Sequence, residues 1–280
     1  MNDAPAFPAH WEAGDAVLLT ETFSSRIWKV RLASGTPAIV KDLKAFDDVE
    51  DELRGAHYLA WRNGEGAVRL LGLEGQRMLL EYAGERHLVD DLNAHGDDAA
   101  TEIAAEVLER LFSPSDTSFP PDLQSLRGRF ASLFDKARAD RNSRKSGFYI
   151  EAAEVAARLL DNPHDIRPLH GDLHHENIMH GKRGWLVIDP KGVLGDPAFD
   201  AANMFYNPLD RDDLCLDPQR IARMTEVFAK ALRQSPANIL DHAFAYGCLS
   251  AAWYAGDNDS TDEERTLTVA AAIRDARRQY

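Results

Sequence analysis

Residues 168–200 read PLHGDLHHENIMHGKRGWLVIDPKGVLGDPAFD, and they constrain the rest of the chain more than any other segment. His170-Gly171-Asp172 is followed five residues after the aspartate by Asn177, and twelve residues further on by Asp189 at the end of an apolar run. This acid, amide and acid answer one chemical demand. A hydroxyl that attacks a phosphoryl group needs a carboxylate within hydrogen-bond reach to orient it and accept its proton, and Asp172 on a short loop can play that part. The charge on the triphosphate and on its departing group calls for a divalent cation held by hard oxygen ligands beside the base, and Asn177 and Asp189 supply them. Gly184-Trp185-Leu186-Val187-Ile188 reads as a buried strand bounded by Lys182-Arg183 and Pro190, which fixes Asp189 at its end.

The same residues carry a family resemblance. The runs from His170 to Ile178, from Ile188 to Gly192 and from Gly195 to Asn203 resemble the aminoglycoside and hydroxyurea antibiotic-resistance kinases. The His-Gly-Asp, Asn and Asp frame is shared with the wider aminoglycoside phosphotransferase and choline kinase group, whereas Asp189-Pro190-Lys191-Gly192 is more specific to this branch. Gly66 to Leu71 and Leu79 to Tyr82 extend the likeness. The resemblance implies an α+β, protein-kinase-like bilobal fold with ATP and magnesium as cofactors. It also implies an aminoglycoside such as streptomycin as acceptor, with hydroxyurea, an amino sugar and an endogenous metabolite as alternatives. It casts His170 as a brace of the catalytic loop and Asp200 as an acceptor of hydrogen bonds from that loop.

The chain has 280 residues, of which 44% are apolar, enough for two lobes with separate cores. A net charge of −14 argues against nucleic acid or an anionic membrane as partner and suits a cationic small-molecule substrate. Oligomeric state stays open. Cys215 and Cys248 are too few for a disulfide framework. Met1 to Asp15 lack the basic head and apolar core of a signal segment, and a cytoplasmic enzyme is expected.

Ala16 to Thr20, Arg26 to Leu32 and Pro37 to Lys41 read as an antiparallel meander, followed by a helix from Phe46 to Trp61 that Asn63-Gly64-Glu65-Gly66 ends. Strands near Val68 to Leu73 and Arg77 to Tyr82 complete a small sheet. A hinge at Glu81 to Glu85 divides residues 1–83, a nucleotide-binding lobe, from residues 84–280, a helical lobe for catalysis and substrate. Helices are expected over Asp98 to Phe112, Leu123 to Ala139, Tyr149 to Leu160 and from about Pro218 onward, punctuated by Pro114 and Pro120-Pro121.

Several residues admit two readings. Lys41 at a strand end can hold nucleotide phosphates as a point charge, and Glu52, with Glu50 as competitor, is the expected partner. Ser24 and Ser25 in the first strand turn can contact phosphates although no glycine-rich loop occurs there, or simply form a turn. At the hinge, the Glu81 carbonyl and Ala83 amide are candidates for adenine. His170, His174, His175 and His180 raise a zinc-hydrolase reading, which the absence of H-E-x-x-H disfavours; His174, His175 and His180 read as solvent or loop residues. Asp196 reads as an N-cap, and Lys191 as either a phosphoryl-facing charge or a salt bridge. Asp210, Asp213 and Asp257 are candidate ligands for a cationic acceptor, with Trp253 and Tyr254 as a stacking wall or as core. A non-catalytic nucleotide-binding regulator is the alternative of another class, and the intact base and both metal ligands argue against it.

Overall fold

The computed structural model describes residues 5–45, 49–113, 118–144, 147–257 and 259–280. Phe46, the expected start of the first helix, and Pro114 lie outside the described residues. β1 (Ala13–Glu21), β2 (Ser25–Leu32) and β3 (Pro37–Leu43) form the antiparallel meander, α1 (Val49–Arg62) follows, and β4 (Leu70–Glu74) and β5 (Arg77–Glu81) close a five-stranded sheet in the order β1-β2-β3-β5-β4. Alternation along a strand sends successive side chains to opposite faces. Ala38 and Val40 therefore pack with Trp11, Trp28, Val30 and Leu79 on the outer face, while Ile39 and Lys41 line the cleft beneath the sheet.

The chain then enters the helical lobe through β6 (Arg86–His87), α2 (Leu88–His95) and α3 (Asp97–Leu111). Here the sequence reading needs correction. Leu123 to Ala139 is not one helix: Gln124–Ser125 is a strand, β7, followed by α4 (Leu126–Arg129) and α5 (Ala131–Asn142). Gln124 and Ser125 pair in parallel with Val193 and Leu194, and the Ser125 hydroxyl caps α4 by accepting from the Gly128 amide at 3.1 Å. Pairing with a distant segment overrides local helix propensity.

α6 (Phe148–Asp161) leads to β8 (Arg167–Leu169), the hairpin of β9 (Ile178–Gly181) and β10 (Gly184–Val187), and β11 (Val193–Gly195). The last third is α7 (Ala198–Ala202), α8 (Asp212–Cys215), α9 (Pro218–Leu232), α10 (Pro236–Gly256) and α11 (Ser260–Arg277). α10 is buried nearly all round and is the axis of the large core, packing on α6, α7, α9 and α11. Among the described residues no helix is long and apolar enough to cross a membrane.

Two devices join the lobes. Val68 was expected to begin a sheet strand, yet residues 66–68 attach to the hairpin of the helical lobe, with Val187 donating to Gly66 O at 2.9 Å and Val68 donating to Val187 O at 3.1 Å. Arg183 in the hairpin turn then donates to both carboxylate oxygens of Glu81 and to the carbonyl of Ala67 at 3.0 Å. One guanidinium thereby ties the hinge strand to the hairpin. The second device is a close backbone approach: a Cβ on Gly55 would lie 1.9 Å from the Pro190 carbonyl oxygen, so α1 rests directly on the segment after Asp189 because residue 55 is glycine.

Candidate active site

The loop from His170 to Asn177 is held by neighbours that converge from three elements. Gly171 adopts φ +83°, which places its amide beside that of His170, and both donate to the carboxylate of Asp200 at 2.7 Å. His170 is fully enclosed, and burial drives its pKa down to about 3, so the ring is neutral. It then donates from Nε2 to the Ile188 carbonyl at 2.7 Å while Nδ1 accepts from the Asp172 amide at 3.2 Å. His170 spans the gap between the loop and the residue before Asp189.

Asp172, on the same loop as the cleft-lining Asn177, has 32% of its side chain exposed. Its Oδ1 accepts from Asn203 Nδ2 at 3.0 Å, and Asn203 is in turn met by Asn207 Nδ2 at 2.9 Å. Burial pushes the Asp172 carboxyl up, against the charges of His174, Lys191 and Arg129. Asn177 donates from Nδ2 to the Asp172 carbonyl at 2.8 Å, which leaves Oδ1 as the amide atom for a cation. Asp189 has φ +57°, an uncommon conformation for a non-glycine residue, at the turn where the chain leaves the β10 segment. Burial would raise its carboxyl, but the ammoniums of Lys191 and Lys41 outweigh that and hold it below the usual carboxylate range.

Lys41 Nζ contacts Glu52 Oε2 and Asp189 Oδ1. Glu52, not Glu50, is therefore its partner: Glu50 is 81% exposed and faces Arg54 at 3.6 Å. Lys191 closes the cluster at 2.8 Å from Glu52 Oε1 and 3.3 Å from Asp189 Oδ2. Asn177 and Asp189 are hard oxygen donors on one wall of the cleft, a set that fits magnesium. Among the described residues no three His, Cys, Asp or Glu side chains group as a metal cage.

The cleft between the lobes has a volume of about 470 Å³ and is lined by Ile39, Lys41, Val68, Ala83, Asn177 and Asp189, among others. Glu81 and Ala83 stand at its hinge wall, although the Glu81 side chain is committed to Arg183 and to the Arg69 amide at 3.0 Å. In the β1–β2 turn the Ser25 amide donates to Thr22 Oγ1 at 3.0 Å and Ser25 is buried, whereas Ser24 is half-buried at the cleft edge.

A second cleft of about 640 Å³ is lined by Glu50, Asp51, Arg54, Arg129, Trp253 and Asp257, among others. Arg129 stacks 4.9 Å over the Trp253 ring and pairs with Asp51. Asp257 thus faces a cavity, and so does Trp253, which is half-buried. Asp210 and Asp213 line neither cleft; both are exposed, and Asp213 is paired with Arg211 at 2.8 Å. The N-cap of α7 is Pro197 rather than Asp196, and Asp196, one residue before it, accepts from Ala198 N at 3.0 Å.

His175 departs from its sequence reading. It is 1% exposed, burial lowers its pKa to about 3, and neither ring nitrogen meets a protein partner. Asn203 carries no role in the sequence reading, yet it holds the Asp172 carboxylate. Its place three residues after Asp200, one turn along the same helical stretch, was the available signal.

Replacing Asp200 by asparagine is expected to cost about 1–3 kcal/mol of stability, because its Nδ2 would oppose one of two buried amide donors. Urea unfolding of Asp200→Asn against the parent measures this, and an unchanged midpoint would contradict it.

A five-stranded sheet with one helix, set over a helical lobe whose Asp189 meets a sheet lysine, is the architecture of a small-molecule phosphotransferase of the protein-kinase-like fold. More particularly, residues 10–258 match the model of the aminoglycoside/hydroxyurea antibiotic resistance kinases, and the chain belongs to that family. It is 37% identical over 249 residues to streptomycin 3''-kinase from Klebsiella pneumoniae, covering 87% of this chain and 88% of that protein. Streptomycin 6-kinase from Streptomyces griseus is 32% identical over 212 residues, covering 71% of this chain and 64% of that protein. Among solved structures, a choline/ethanolamine kinase family protein from Mesorhizobium loti has a TM-score of 0.65 at 14% identity, covering 95% of this chain and 93% of that one, and shares the fold.

Proposed function

We propose that the chain transfers the terminal phosphoryl group of ATP, with magnesium, to a hydroxyl of a cationic aminoglycoside such as streptomycin. The observation that carries this reading is the direct hydrogen bonding of the acid and amide, Asn177 to the Asp172 backbone and Asn203 to its carboxylate, on the side of the cleft where Asp189 meets Lys41. Asp172 orients the acceptor hydroxyl and takes its proton as the new O–P bond forms, while the bond to the departing diphosphate breaks. Asn177 and Asp189 would hold the magnesium, which neutralises phosphate charge when bound. Lys41 fixes phosphates with Glu52 behind it, and the hinge backbone at Glu81 and Ala83 receives adenine.

The acceptor occupies the second cleft in this reading, where Glu50, Asp51 and Asp257 outnumber Arg54 and Arg129 and the Trp253 ring offers a face to a cation. The direct test follows ATP consumption over streptomycin, a second aminocyclitol, an amino sugar and hydroxyurea, with and without a magnesium chelator. Turnover of neutral acceptors alone would overturn the aminoglycoside assignment. KM for the cationic acceptor should rise with salt, because exposed charges are screened beyond about 10 Å at 0.1 M. Charge reversal at Asp257 should raise that KM more than reversal at Asp210 or Asp213, which lie outside the cleft. An equal effect at all three would place the acceptor elsewhere.

A further inference from the structure

We propose that Lys191 is a catalytic residue whose ammonium contacts the phosphoryl group in transfer, a role distinct from that of Lys41. This rests on the ATP-dependent reading above. The two carboxylate oxygens of Glu52 are divided between two ammoniums, Lys41 on Oε2 and Lys191 on Oε1. Both lysines also reach Asp189, one on each of its oxygens. The result is a closed ring of two cations and two carboxylates in which Lys41 and Glu52 are 7% exposed and Lys191 15%.

The two lysines are carried by different parts of the molecule. Lys41 belongs to β3 and to the sheet. The backbone of Lys191 is bonded to the catalytic loop, its amide donating to the His170 carbonyl at 2.7 Å, and its charge acts on Asp172. Its ammonium is therefore fixed relative to the base, on the wall of the cleft that also carries Asp189. Within the ring the two ammoniums balance the carboxylates of Glu52 and Asp189, so Lys191 has charge to spare for another anion only when Asp189 is drawn to a cation. Once Asp189 is engaged by a metal, the ring holds two ammoniums against Glu52 alone. An N–H of Lys191 that no longer meets Asp189 is then available, on the cleft wall, to the phosphoryl group in transfer. The acceptor O–P bond forms there, the bond to the ADP oxygen breaks, and the hydroxyl proton goes to Asp172. Lys191 keeps its protons throughout and donates hydrogen bonds to the phosphoryl oxygens.

The discriminating measurement compares nucleotides that differ by the terminal phosphate. Calorimetric titration of Lys191→Met with Mg-ADP should give the parent's affinity, whereas affinity for Mg-adenylyl imidodiphosphate, a non-hydrolysable ATP analogue, should fall by about ten- to hundredfold, the worth of a charge-assisted hydrogen bond. Lys191→Arg should recover most of that difference and part of kcat. Loss of both affinities would make Lys191 a structural brace and overturn the proposal, as would loss of neither. A parent protein that binds neither nucleotide would instead overturn the ATP-dependent function itself.

Discussion

Replacing Asp172 by asparagine lowers kcat by about 10²–10⁴-fold and leaves ATP affinity close to that of the parent. The substitution keeps the backbone carbonyl that holds Asn177 and keeps an oxygen for Asn203 Nδ2, so the loop retains its shape. What it removes is the proton acceptor. In the proposed mechanism the group acts on the acceptor hydroxyl, while nucleotide phosphates face Lys41, Asn177 and Asp189, and binding and chemistry separate for that reason. The pH profile gives a second readout. Burial raises Asp172 from the ordinary 3.8, and the base works only when unprotonated, so the parent's rate falls on the acid side at a higher pH than an exposed aspartate would give. The residual rate of Asp172→Asn lacks that limb. Steady-state kinetics over pH, paired with nucleotide titration, check both points, and a variant retaining more than half of the parent's kcat would remove Asp172 from the role of base.

The parts of the site that were legible in the sequence are those set by short-range spacing. Asp172, Asn177 and Asp189 lie on one loop and the hairpin after it, so residue type and separation nearly determine their convergence. Lys41 with Glu52 was readable for a related reason: a strand end followed by an amphipathic helix brings one acid of the first turn inward, and burial of that face decides between Glu52 and the exposed Glu50. Asn203 was missed because its contact with Asp172 spans 31 residues and depends on α7 turning back beneath the loop. β7 was missed because a two-residue strand has no period to detect; it exists through its pairing with Val193 and Leu194. Val68 was expected in the small sheet, whose strand starts only at Leu70, since strand character in sequence does not say which edge will accept a residue. His175 illustrates the converse error: a polar residue within a loop motif was read as solvated, although neighbours on both sides of the motif enclose it.

Replacing Asp189 by alanine should abolish the strengthening of nucleotide binding by magnesium, while metal-free binding persists. Even residues that only support a metal ligand typically cost 10- to 100-fold in metal affinity when changed, so loss of the carboxylate itself should cost about 100-fold or more. Asn177→Ala should be milder, because an amide oxygen is neutral and contributes no charge against the cation. The ring of charges sharpens the expectation. Without Asp189, Lys41 and Lys191 share Glu52 alone, and the cleft gains a net positive charge that favours the bare triphosphate. ATP without magnesium should therefore bind the variant at least as well as it binds the parent, and added magnesium should no longer improve it. Backbone strain is separable from ligation: Asp189 sits at φ +57°, where alanine is disfavoured and asparagine is tolerated. If Asp189→Asn and Asp189→Ala lose magnesium dependence together, the carboxylate is the ligand. Calorimetric titrations with ATP, with and without magnesium, distinguish the cases, and magnesium dependence surviving in either variant would move the metal away from Asp189.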